Sequence, residues 1–417
     1  MNRTDRSPAP EILAPAGSYE SLAAALNAGA DAVFFGVGTL NMRARGAANF
    51  AEGDLGEIVK RCRDAGAKAY LTLNILVYDD ELPLVERLCH LAEAAGVDAV
   101  IATDIATIQT ARAAGLSVHL STQANVSNLP AVRFFAQFAD VVVLARELDL
   151  AKIRHIAEAV AREPILGPSG EPVHLEVFVH GALCVAISGQ CGMSLATHNQ
   201  SANRGACVQP CRRSYRVISE QTEAELVVDN KYVMSPRDLC TIGCLDRLLE
   251  AGASLLKIEG RGRAADYVAE TVCCYREAVQ AIRDGVYDAK RVAGWRERLR
   301  RVYNRDFWEG GYYLGEKTEV WSGAAGSQAT TVKRQIGRVT NFFSQAGVAE
   351  ICVTSGPLSV GDTVLFVGGT TGAHQEPARS LRIDENAIER VERAEGLTLP
   401  LTAKVRRGDK VFVVEPR

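Results

Sequence analysis

Four cysteines, Cys184, Cys191, Cys207 and Cys211, lie in the stretch His180–Arg213, HGALCVAISGQCGMSLATHNQSANRGACVQPCRR. Four thiolates satisfy either a tetrahedral zinc ion or the four irons of a [4Fe–4S] cluster. The spacing is C-x6-C-x15-C-x3-C, and Gly189, Gly192, Gly205 and Pro210 let the backbone wrap closely. Structural zinc sites usually carry paired C-x2-C knuckles, and their absence favours a cluster over zinc without deciding between them; a metal-free loop is the third alternative. Cys240, in MSPRDLCTIGC, is a replacement candidate for the fourth ligand. Cys244, in the following helix pattern, is a weaker candidate than Cys240, and Cys62, Cys89, Cys273, Cys274 and Cys352 fall in helical or strand-like patterns and read as small buried hydrophobes.

A second group of chemically capable residues follows short apolar runs: Asn41, Arg43, Arg45, Asn74, Asp104, Gln123, Asn125, Arg146, Glu147, His180, Lys257, Glu259 and Arg261. Arginine outnumbers acid among them, and a planar guanidinium grips carboxylate or phosphate through two parallel bonds, so the set points to an anionic ligand. Arg43, Arg45, Arg146 and Arg261 are the expected clamp, and His180 and Glu259 the expected proton carriers. A peptidase constellation is not legible. His180 is the one base near Cys184, and neither a G-x-S-x-G turn nor an H-E-x-x-H motif occurs.

These residues need a scaffold that brings the ends of many strands together. The apolar runs EILAPAG, DAVFFGVG, KAYLTLNILVY, DAVIATD, SVHLSTQANVS, DVVVLARE, VHLEVFVHG and SLLKIEG alternate with helix-period segments, among them SYESLAAALNAGA and DELPLVERLCHLAEAAGV, where Ser18 and Asp80 read as caps. Eight such units predict an α/β fold, a closed (β/α)8 TIM-like barrel whose chemistry sits at the carboxyl ends of its strands; an open doubly wound sheet is the alternative. The barrel is expected over residues 1–308, with a cysteine-rich insertion at about 184–240, then a linker at 309–334. From 335 to 417 the alternation shortens and Gly and Asp mark turns, predicting a small antiparallel β-barrel.

The 417 residues are 47% hydrophobic and 23% charged with a net charge of −3, so any affinity for nucleic acid must come from a local patch. The run NRGACVQPCRRSYR offers one, with Arg204, Arg212, Arg213 and Arg216 and no acid, and Tyr215 to stack a base. No apolar run approaches the roughly 20 residues of a membrane span and no signal-like segment opens the chain, so a cytoplasmic protein with reduced thiols is expected.

EILAPAGSYESLAAALNAGADAVFFG, LEVFVHGALCVAISGQC, NRGAC and LKIEGR resemble the U-thirty-two, or collagenase-like, peptidase family over nearly the whole chain. Despite the peptidase name, the resemblance implies oxygen-independent hydroxylation: the family includes tRNA wobble-uridine, ribosomal-RNA cytidine and ubiquinone hydroxylation factors. It implies a [4Fe–4S] cluster on Cys184, Cys191, Cys207 and Cys211, with Cys240 the alternative fourth ligand, prephenate, a dicarboxylate, as co-substrate, and tRNA or rRNA as partner. Proteolysis, and a non-catalytic cluster-bearing scaffold for a partner hydroxylase, are the other functions it leaves open. The small C-terminal barrel resembles that of translation factors, although 12 basic against 10 acidic residues from Lys333 onward make it only faintly basic. Asp306, in NRDFWEGG, stands where such proteins commonly carry glycine. Metal analysis of protein purified without oxygen separates the cofactor alternatives: a cluster gives about four irons per chain, and a zinc site gives one zinc and little iron.

Overall fold

The computed structural model describes residues 9–218, 220–222, 225–226, 234–315, 320–323, 326–384 and 386–417. All eight apolar runs become parallel strands: β1 (Glu11–Ala16), β2 (Ala32–Gly36), β3 (Lys68–Leu73), β4 (Ala99–Ala102), β5 (Ser117–Leu120), β6 (Val141–Val143), β7 (His174–Gly181) and β8 (Leu255–Ile258). Each pairs with the next, and β8 closes the ring by pairing with both β7 and β1, with Leu255 opposite Glu176 and Leu13 opposite Lys257. Helices α1 (Tyr19–Asn27), α2 (Leu55–Asp64), α3 (Leu82–Ala95), α4 (Ile105–Ala113), α5 (Leu129–Phe135) and α6 (Leu150–Arg162) return the chain between strands. Ser18 caps α1 as expected, its hydroxyl accepting from the Ser21 N–H at 3.3 Å. Asp80 does not cap α3; a single 3-10 turn over Asp79–Glu81 intervenes, and Glu81 folds back to accept the Tyr78 N–H at 2.8 Å.

Alternation along the strands sorts side chains into two layers. Leu13, Ala32, Phe34, Tyr70, Ala99 and Ile101 fill the barrel interior, and the intervening residues, such as Ile12, Leu71 and Val100, face the helices. The alternation breaks once, near the end of β7. Lys257 lies opposite Phe178 but Ile258 lies opposite His180, so Val179 is an extra residue in β7. Such a bulge turns the following side chain to the other face.

Beyond the bulge β7 leaves the ring and pairs antiparallel with the strand Asp238–Cys240, which carries Phe307–Glu309 on its far side. The cysteine-rich residues 182–212, with helix α7 (Met193–His198), lie across the barrel mouth. The Leu76 N–H donates to the Asn203 carbonyl at 3.2 Å, pinning the insertion to the loop after β3. Helices α8 (Leu245–Glu250), α9 (Ala265–Arg283) and α10 (Ala289–Arg301) complete the wall.

Part of the stretch expected as linker belongs to that wall. Tyr313 is buried, and its hydroxyl donates to the Phe178 carbonyl at 2.8 Å. Asp306 adopts φ 62°, the left-handed conformation that a glycine would enter without strain, and its side chain accepts the Phe307 N–H at 2.9 Å. The C-terminal domain begins with the strand Thr331–Phe343, a few residues before the expected boundary, and is an eight-stranded antiparallel sheet with its own core around Ile336, Ile351, Phe366, Leu397 and Val411. It docks on the flank of the barrel: Asn27 Nδ2 donates to the Thr371 carbonyl at 3.1 Å, and Lys333 pairs with Asp266 at 2.6 Å.

The closest approach in the barrel is between the end of β1 and the residues after β8. A methyl group at Gly17 would stand 2.0 Å from the Arg261 carbonyl oxygen, a backbone atom with nowhere to go. Gly17→Ala is therefore expected to destabilise the barrel by about 1–3 kcal/mol or more, seen as a lower urea midpoint.

Candidate active site

The insertion and the strand ends enclose a cavity of about 290 Å³. Its lining contains Arg43, Arg146, Arg212, Arg261, Arg263, Arg305 and Lys257 against, among the described residues, a single carboxylate, Glu259, together with Cys184, Cys191, Cys207 and Cys211. The thiols and the arginines thus share one chamber.

Arg261 is its deepest guanidinium. It is buried, and Nη1 donates at 2.9 Å to both Asn41 Oδ1 and Thr72 Oγ1. The fit demands glycine at Gly36, where a methyl would stand 2.4 Å from that Nη1. Burial pulls the Arg261 pKa down to about 10. Glu259 accepts from Arg43 through Nε at 3.2 Å and Nη2 at 2.7 Å. Burial alone would raise the Glu259 pKa, but Arg43, Arg146 and Arg261 outweigh it and hold the carboxyl at about 2. Arg146 stacks 3.9 Å over Phe178 and donates to the Ala182 carbonyl at 3.3 Å, while its buried Nε has no partner. Arg263 lies 3.5 Å over the Tyr303 ring. Arg43, Arg305 and Lys257 are answered by Glu259, Asp238 and Glu176, whereas Arg146, Arg261 and Arg263 rest on neutral groups.

Of the expected clamp, Arg43, Arg146 and Arg261 meet in the cavity, and Arg45 is exposed outside its lining. His180 does not reach the cavity. The β7 bulge turns it outward, where it packs against Tyr267, Tyr275 and Phe307, and burial drives its pKa to about 3. Glu259 is in the cavity, but a carboxyl held near 2 carries no proton to give at neutral pH and is a weak base. Asn74 and Gln123 line the cavity, whereas Asp104 caps α4 by accepting the Ala106 N–H at 2.9 Å. Asn125 and Glu147 are not in the lining.

The cysteines come from both arms of the insertion. Arg212 fastens the arms together, donating to the Leu183 carbonyl at 2.5 Å and the Pro236 carbonyl at 2.6 Å. The Met193 N–H points at Cys191 Sγ at 3.4 Å and the Ser194 hydroxyl at Cys207 Sγ at 4.0 Å. The donor chemistry suits a soft metal or cluster, although among the described residues no three His, Cys, Asp or Glu side chains are gathered closely enough to hold a metal ion. Cys240 is fully buried in its strand and does not line the cavity, and burial raises its thiol pKa. The expected RNA patch is partly consumed. Arg204 is held by Glu81 at 2.6 and 2.8 Å, an acid distant in sequence, and by the face of Tyr78, and Arg212 is bound to carbonyls; Arg213 is exposed. Sequence reasoning passed over Arg263, Arg305, Glu176 and His119; the charged Glu176 inside the apolar run VHLEVFVHG was the available signal.

The family model for Peptidase family U32 matches residues 17–323. The chain belongs to Peptidase family U32. This U32 chain is 46% identical over 408 residues to a Collagenase of Porphyromonas gingivalis, covering 98% of both proteins. It is 36% identical over 314 residues to the tRNA hydroxylation protein P1 of Bacillus subtilis, covering 72% of this chain and 71% of that one. It is also 34% identical over 287 residues to the 23S rRNA 5-hydroxycytidine C2501 synthase of Escherichia coli, covering 69% of this chain and 42% of the other.

Because the folded Glu259 pKa of about 2 lies below its ordinary 4.5, the carboxylate stabilises the fold above pH 4.5, and that stability is lost as the pH falls from 4.5 towards 2. The contribution corresponds to about 3 kcal/mol. Glu259→Gln should lower unfolding stability at pH 7 by that order, and the difference from wild type should shrink below pH 4.5 in denaturant titrations.

Proposed function

We propose that this chain is an iron–sulfur enzyme that hydroxylates a pyrimidine in RNA without oxygen, with prephenate or a closely similar dicarboxylate as co-substrate. The observation that carries the reading is the shared chamber: four cysteine thiols and a set of under-paired guanidiniums line one cavity. Relatives named for tRNA hydroxylation and for 5-hydroxycytidine synthesis in rRNA supply the substrate class. Cys184, Cys191, Cys207 and Cys211 would hold the [4Fe–4S] cluster, with Cys211 rather than Cys240 as the fourth ligand because only Cys211 lines the cavity. When bound, the cluster supplies one-electron chemistry or polarises an oxygen ligand.

The chain's own residues bind and orient. Arg146, held flat against Phe178, offers an unpartnered Nε to one carboxylate, and Arg261, fixed by Asn41 and Thr72, presents the rest of its fork to another. Glu259 keeps Arg43 aligned beside them. The C-terminal domain and the exposed Arg45 and Arg213 would carry RNA towards the mouth.

A second reading, proteolysis, draws on the name of the Porphyromonas relative. Against it, no histidine lines the cavity among the described residues, and the one histidine close in sequence to Cys184 is turned into the wall, so a thiol has no imidazole to activate it.

Mass spectrometry of RNA nucleosides from cells with and without the gene tests both. The expected result is loss of one hydroxylated pyrimidine nucleoside, restored by the wild-type gene but not by Cys184→Ser or Cys211→Ser. Unchanged levels of every hydroxylated nucleoside, in a strain with no second copy of such a gene, would overturn the proposal. Gelatin cleavage abolished by Cys184→Ser would establish the peptidase instead.

A further inference from the structure

With His180 in the wall and Glu259 locked as a carboxylate, the cavity lacks both expected proton carriers. Arginine does not release its proton in proteins, so the six lining guanidiniums cannot serve. One amine remains. Lys257 lines the cavity and is itself nearly buried, with Nζ 4.8 Å from the centre of the Phe34 ring and 5.6 Å from that of Phe178. Its ammonium donates to Glu176 Oε1 at 2.6 Å.

Glu176 is fully buried in the barrel interior. Burial alone would raise its pKa, but Lys257 and His119 more than offset this and keep the carboxyl ionised. Its second oxygen, Oε2, has no hydrogen-bond partner, and neither has Nδ1 of buried His119, 3.8 Å away. His119 in turn lies against the Tyr70 ring at 4.4 Å. At the far end of the ring the Tyr70 hydroxyl donates to Glu11 at 2.7 Å, and Lys68 pairs with Glu11 at 2.7 Å; the rest of the inner face of β1, β2 and β4 contributes Leu13, Ala32, Phe34, Ala99 and Ile101. A lysine, a carboxylate and an imidazole in a largely apolar part of the barrel interior are more than a stable core requires, because well-packed hydrophobic residues would serve at least as well.

We propose that Lys257 is the catalytic proton donor of the cavity, contacting the bound carboxylate-bearing anion directly, and that Glu176 is the positioning residue that holds it there. In the step it performs, a Nζ–H bond breaks, its electron pair stays on nitrogen, and the proton forms an O–H bond on the substrate oxygen where negative charge accumulates. Solvent restores the ammonium between turnovers. Two of the three ammonium protons remain for the substrate while the third stays with Glu176, so binding does not require that ion pair to break. The inference rests on the anion-binding part of the proposed function.

Three measurements test it. Potassium cyanate carbamylates lysine side chains through their unprotonated amine, and peptide mapping locates them. With long exposure at alkaline pH, which supplies free amine, Lys257 should be modified slowly in the free protein and at least tenfold more slowly with prephenate; an equal rate with and without prephenate, or no modification in either, overturns the assignment. In cells, Lys257→Arg keeps the charge and the bond to Glu176 but does not release a proton, so the hydroxylated nucleoside should fall at least a hundredfold while the purified variant binds prephenate within a few-fold of wild type. Product within threefold of wild type in Lys257→Arg overturns the proton-donor role. Glu176→Gln removes the carboxylate that positions the ammonium, so product should fall at least tenfold while prephenate binding stays within a few-fold of wild type, and Glu176→Asp should restore part of it; product within threefold of wild type in Glu176→Gln overturns the part given to Glu176. Absence of any hydroxylated nucleoside with the wild-type protein defeats the RNA reading instead, and the protection experiment then decides whether Lys257 sits at the anion.

Discussion

Burying a guanidinium inside the end of a β-barrel is the constraint from which most of this site follows. Arg261 sits where water cannot solvate it, and a buried charge is tolerated only when its donors and its field are answered nearby. Asn41 and Thr72 answer the donors, and Glu259, two residues before it, answers the field. Those partners lie after β2, within β3 and after β8, so one side chain ties the ends of neighbouring strands into a fixed rim. Gly17 and Gly36 are required by the same group, one for its carbonyl and one for its guanidinium. Glu259 extends the knot outward by fixing Arg43.

The knot does not neutralise the chamber. Arg146 and Arg263 are flattened on aromatic rings rather than paired with acids. Stacking orients a guanidinium and shields it from water without cancelling its charge, which leaves an excess of positive potential in a confined volume. Such a field attracts small anions. The insertion that brings the thiols is held by cations already spent on structure, Arg212 across its two arms and Arg204 on Glu81. Arginines near the mouth therefore divide into those that build the chamber and those left to bind within it.

The sequence was most legible where a single periodicity governed the chain. Eight apolar runs separated by amphipathic helices allow few arrangements, and every one became a barrel strand. The four cysteines, picked by spacing, and three of the four expected clamp arginines, picked by their position after strands, line one cavity. What sequence could not show was anything set by a local break or a distant partner. One extra residue, Val179, inverts the side chains beyond it, so His180 faces helices although the pattern aimed it at the mouth. Glu81 lies far from Arg204 in sequence, so one arginine of a cluster that looked free of acid is neutralised in space. Glu176 and His119 were hidden because they sit within strands, where periodicity directs attention to apolar residues.

The relatives carry names from two different chemistries, so shared descent alone does not choose between them, and the choice has to be made at the site. Hydrolysis of a peptide by a thiol asks for one nucleophile beside one base, and three further cysteines in the same wall would add nothing to it. Here the lining holds four thiols and no imidazole among the described residues, together with guanidiniums, whose planar fork suits carboxylate or phosphate. Each half is explained if the chamber takes a group bound through sulfur together with an anion bound through guanidinium. Lys257 shares that lining, with its ammonium on Glu176 and a largely apolar barrel interior behind it.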